Sequence, residues 1–224
     1  MPWAGGLCAG LLLACTTAQE RDSPSDLLSG LRFRDPQTAA LFLNTHRAGN
    51  LYEDFRPVMA VDAVPMDLKY RRQFVAMVGQ RYLLPEGELR RMTAEQEGEF
   101  DNRMEMIVLI YGGSNVPVPL ENPKSVWRIL LLDDDGQVLA PARVEKIRLD
   151  SVTFQFLNTY FYGLDRWSQV FKVGFPKLEK SALGKRPGGK PIQLIITGIA
   201  GTVTLSWSDP SLFYRGEAPS APRQ

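Results

Sequence analysis

Arg103-Met104-Glu105-Met106-Ile107-Val108-Leu109-Ile110-Tyr111 is the stretch whose reading decides the fold. Alternate residues of a strand point to opposite faces. Arg103, Glu105, Ile107, Leu109 and Tyr111 share one parity, and Met104, Met106, Val108 and Ile110 the other. The run is polar at its start and apolar on both faces afterwards, as expected of a strand with material packed above and below it.

Downstream, the period of two recurs in short segments. Residues 126–132 and 137–140 flank Asp133-Asp134-Asp135-Gly136, an Asp-Gly hairpin turn between apolar strands. Further strands are expected at 144–149, 152–160, 169–175, 192–197 and 202–207, with Trp127 and Trp207 as core residues. Upstream, Asp35-Pro36 followed by 37–47 and Ala48-Gly49 carries a helix signature: an acid at the N-cap, proline at the first helical position, glycine past the end. Residues 58–64, bracketed by Pro57 and Pro65, suit a short strand. Tyr70, Phe74, Met77, Val78 and Tyr82 form a helical stripe that stops before Pro85, and 86–98 reads as a solvated helix. The expected fold is mainly β in the α+β sense: an antiparallel immunoglobulin-like β-sandwich with an N-terminal helical segment packed on it. The helical segment is expected over 31–99, the sandwich over 100–215 and a frayed tail over 216–224.

The first residues give an address. Residues 3–14 are almost wholly Ala, Gly, Leu and Trp, too few to span a bilayer as a helix of roughly 20 residues. They end in Leu12-Leu13-Ala14-Cys15, which resembles the lipobox of bacterial lipoproteins at every position. Met1 to Gly6 departs from that pattern in having no Lys or Arg. The resemblance covers only the N-terminus. It implies a signal peptide over 1–14, lipidation of Cys15, and a lipidated, flexible tether over 15–30. It also implies an anchor in the lipid bilayer through the acylated cysteine, since several acyl chains hold a protein permanently where one does not. Thr16 in place of Asp after the cysteine favours the outer membrane, facing the periplasm, under the sorting rule of that class.

Composition narrows the rest. The 224 residues are 44% hydrophobic and 23% charged, with a net charge of +1, so a real core is expected and no field suited to nucleic acid. With Cys8 inside the signal and Cys15 taken by lipid, the mature domain has no thiol for disulfides or zinc. His46, the sole histidine, reads as a structural or surface residue near the end of the first helix. Gly184 to Lys190 imitates a phosphate-binding loop, but Pro191 stands where Ser or Thr must hold magnesium and a strand follows instead of a helix. No nucleotide, metal or other cofactor is therefore expected. The acids 133–135 lack the alternate spacing of a calcium loop and read as a solvated turn.

The densest aromatic patch is Tyr160, Phe161, Tyr162 and Trp167, at the end of an expected strand. Exposed there, these residues would form a partner-binding surface for an envelope protein or a glycan; buried, they would close the end of the sandwich. The favoured function is a non-catalytic binding or scaffolding module of the cell envelope, working through this patch or an exposed strand edge. The alternatives are a cell-wall or glycan-active enzyme using Glu53, Asp54 or Asp165, and a carrier of a small apolar ligand.

Overall fold

β4 (Arg103–Gly112) runs through the middle of a five-stranded antiparallel sheet, between β3 (Arg56–Pro65) and β9 (Ser168–Pro176), with β2 (Arg47–Glu53) and β7 (Arg143–Lys146) outside. The computed structural model describes residues 32–33, 42, 44–112, 118–133, 135–162, 164, 168–177 and 190–213. A second antiparallel sheet, in the order β11 (Gly201–Trp207), β10 (Ile192–Gly198), β5 (Arg128–Leu132) and β6 (Val138–Leu139), faces the first. A separate two-stranded pair joins β1 (Arg32–Phe33) to β8 (Phe161–Tyr162).

The double burial read from β4 has a distinct cause on each face. Met104, Met106, Val108 and Ile110 pack against Ile129, Leu131, Leu194 and Leu205 of the second sheet. Ile107 and Leu109 turn the other way, into a helical layer that supplies Phe42, Tyr70, Phe156 and Leu157. The five-stranded sheet is thus the middle of three layers. The helical layer is built from α1 (Leu68–Tyr82), α2 (Glu86–Asn102) and α3 (Val152–Tyr160). Asp67 caps α1, its carboxylate accepting from the Tyr70 N–H at 2.6 Å. Glu86 and Glu88 place negative charge in the first turn of α2, where the helix dipole favours it.

One edge of the sandwich is sewn shut. Arg47 Nε donates to the Ser206 carbonyl at 2.9 Å, and Trp207 Nε1 donates to the Thr45 carbonyl at 2.6 Å. Gly49 makes the approach feasible, because a side chain there would overlap Val203 and Leu205.

Three expectations need correction. The helix expected over 37–47 does not reach its end: Asn44 and Thr45 form a turn, and Arg47, Ala48 and Gly49 belong to β2. With β3, this strand puts a hairpin inside the 31–99 span expected to be helical, and β3 pairs directly with β4. Residues 152–160 form a helix, not a strand. Their aromatic and β-branched content favours strand locally, but Ser151 Oγ accepts from the Phe154 N–H at 3.1 Å as a cap, and Phe156 stacks on Tyr160 one turn later. The Asp133 turn forms as expected but is not solvated at its base. Asp133 is buried, and its Oδ1 accepts from the N–H groups of Asp135 and Gln137.

The β2–β3 hairpin closes through Asp54 and Phe55, at φ of 47° and 63°, in the two-residue loop between the paired Glu53 and Arg56. Such a loop favours Asn-Gly or Asp-Gly. Phenylalanine in the left-handed region costs about 1–2 kcal/mol, against about 0.5–1 kcal/mol from glycine's extra unfolded-chain freedom. Phe55→Gly should therefore raise stability by about 0.5–1 kcal/mol, seen as a higher urea midpoint at unchanged slope.

Candidate functional site

Tyr160, the first residue of the aromatic patch, closes α3 and borders a surface groove of about 760 Å³. The opposite walls come from α1, the α1–α2 turn and the start of α2, including Ala76, Met77, Leu83, Leu84 and Leu89. The helices come this close because Gly79 leaves room for Leu89; a methyl group at Gly79 would overlap it. Leu83 ends α1 in the left-handed conformation, φ 51° and ψ 46°, with its side chain 87% exposed at the rim. Tyr82 beside it is half-exposed. A branched apolar residue in that conformation, aimed at solvent, is unfavourable on both counts.

Tyr160 itself is a wall, not a free aromatic face. Its ring packs on Phe42 at 5.7 Å and on Phe156 at 4.8 Å, and its Oη accepts from Gln73 Nε2 at 2.9 Å. Phe161 and Tyr162 continue as β8, pairing with Phe33 and Arg32 through the backbone. The side chains of Phe161 and Tyr162 lie outside the described residues, as do Trp167, Asp165, Cys15, the signal and tether expected over 1–30, residues 178–189 and the tail expected over 216–224.

A network that sequence reasoning missed holds the groove's walls against the sheet. Arg71 of α1 is fully buried: Nε donates to the Met66 carbonyl at 2.9 Å, Nη1 to Gln96 and Glu99 of α2 at 3.0 and 3.1 Å, and Nη2 to Glu105 of β4 at 2.7 Å. Lys172 of β9 reaches Glu105 at 3.1 Å. Two cations and two carboxylates thus meet between helices and sheet. Only the fold brings them together, since 34 positions separate Arg71 from Glu105. His46 has a comparable role. It lies between the helical Phe42, whose carbonyl accepts from its N–H at 2.8 Å, and the start of β2, and its Nε2 lies 2.7 Å from Oδ1 of buried Asp62.

The acids weighed for catalysis fall elsewhere. Glu53 and Asp54 sit on the hairpin turn beside an open cleft of about 590 Å³, shared with Arg56, Trp127 and Ala200, and both are exposed. Asp67 borders a third cleft, of about 610 Å³. Burial holds its carboxyl above the ordinary aspartate range against the lowering effect of the Tyr70 N–H, and capping α1 occupies its Oδ1. Among the described residues, no cluster of three or more His, Cys, Asp or Glu is placed to hold a metal, and no helix is long and apolar enough to cross a membrane.

Strand edges offer little else. β6 has two residues and β7 four, and β2 is covered by β11. Comparisons with protein families, with curated proteins and with solved structures find no match to this chain.

Proposed function

We propose that this chain is an envelope lipoprotein, anchored in the outer membrane through Cys15 and facing the periplasm, that acts as a non-catalytic docking module for another envelope protein. In this reading the two facing sheets are an immunoglobulin-like scaffold, and the added helical layer carries the docking groove. The groove between α1, the α1–α2 turn and α3 is the observation that supports it. Its apolar walls and the outward Leu83 suit an apolar protein segment laid between helices. A glycan partner would need an aromatic face free for stacking, and Tyr160 is already packed and hydrogen-bonded.

Two variants test the two halves separately. Cys15→Ser should move the protein from membranes to the soluble periplasmic fraction; unchanged partitioning overturns the anchor. A photo-crosslinking residue at Gln80, in the groove, should give a specific adduct in intact envelopes that Leu83→Asp reduces about tenfold or more, the loss expected when a buried leucine contact becomes a buried charge. Adducts that survive Leu83→Asp in a folded protein overturn the groove.

A further inference from the structure

The opposite feature to the groove is a pair of protruding tips. The β2–β3 turn carries Phe55, fully exposed, and the β10–β11 turn carries Ile199, 89% exposed. Both turns flank the same cleft, which Glu53, Asp54 and Arg56 line from one side and Ala200 from the other, over Trp127. Val126, next to that tryptophan, is also exposed. One end of the sandwich therefore presents apolar side chains on hairpin turns. The Phe55 backbone is held in the left-handed region to do so, where glycine would be easier.

We propose that this end of the sandwich enters the interface of a lipid bilayer, with Phe55 and Ile199 inserted among the acyl chains. A protein partner must supply a shaped pocket for each protrusion, whereas a bilayer accepts isolated apolar tips without shape complementarity. The surrounding charge fits a zwitterionic headgroup layer. Exposed Glu53 and Asp54 stand beside exposed Arg56 on the turn, and exposed Glu121 beside Lys124 and Arg128 on the neighbouring segment, so both signs are interspersed. Insertion is accordingly driven by apolar burial and not by anionic lipid. Two short side chains bind a membrane weakly alone, so the contact rests on the lipid-anchor reading: the tether supplies the high local concentration, and the tips set how the globule sits.

The lipidated full-length chain allows a direct test. With Cys15 acylated, a cysteine introduced at Phe55 or at Ile199 is the only free thiol of the mature protein. Asn102, exposed at the end of α2 where β4 begins, lies at the far end of β3 and serves as the control, about 30 Å from the turn by strand rise. Each variant is labelled with an environment-sensitive fluorophore and reconstituted into phosphatidylcholine vesicles. The labels at 55 and 199 should shift to the blue and be quenched by bromine-labelled acyl chains, with the label at 102 unchanged. Vesicles with added anionic lipid should give the same result. Protein that floats with its vesicles but keeps labels 55 and 199 in water overturns the tip contact alone. A shift seen only with anionic lipid, or equally at 102, overturns it as well. Protein that does not float overturns the anchor and the contact together. Ile199→Cys keeps the test open if substitution at the strained Phe55 impairs folding.

Discussion

Arg71→Ala should destabilise the protein by about 3–5 kcal/mol, the usual consequence of removing one partner from a buried ion pair. The guanidinium is fully buried and answers four acceptors, two on α2, one on β4 and the Met66 carbonyl just before α1. Without it Glu105, itself buried, keeps Lys172 alone as a cation among the described residues, and the Met66 carbonyl loses its donor. Much of that cost is the stranded carboxylate, not the worth of the pair. The double variant Arg71→Met with Glu105→Leu should therefore be far more stable than the sum of the single variants. Urea denaturation of the four proteins reads this directly. Additive losses would show that the cluster does not work as a unit.

Trp207→Ala should cost a similar amount, about 3–5 kcal/mol for a large aromatic removed from a filled core. Trp207 is buried between the sheets, stacks edge-on against Phe213 at 5.8 Å and donates its indole N–H to the Thr45 carbonyl. Trp207→Phe separates the two contributions. It keeps much of the ring and loses the hydrogen bond, so about 1–2 kcal/mol is expected. Equal losses for Ala and Phe in thermal melts would mean that the hydrogen bond, and not the packing, carries the effect.

The sequence was legible where one residue pattern has one structural solution. Two apolar parities in β4 required packing on both sides, and the three layers provide it. Pro85 stopped α1, Asp-Gly marked the β5–β6 turn, and Trp127 and Trp207 proved buried. Legibility failed where tertiary contacts overrode local preference. The residues of α3 prefer strand in isolation and are helical because one turn of spacing aligns Phe156 and Tyr160 on the layer below. β2 imitates a helix end, its Ala48-Gly49 resembling a C-cap, because the true reason for Gly49 lies on β11, more than 150 positions away. The groove was half visible. Tyr160 belongs to the aromatic patch that reads as either a partner surface or a buried lid, while Leu83 and Leu84 come from the α1–α2 turn and Leu89 from α2, whose approach to α1 depends on Gly79.

The seam between β2 and β11 bears on when the chain can fold. Thr45 and Trp207 are 162 positions apart, and Arg47 and Ser206 are 159, so the first edge of the sheet waits for β11. Contacts this distant in sequence slow folding, because loop closure comes before its reward. A ribosome-bound chain ending before Ser206 cannot seal the sandwich. In the exported lipoprotein proposed above, that delay would keep the chain unfolded and threadable through a translocation channel until β11 has been made.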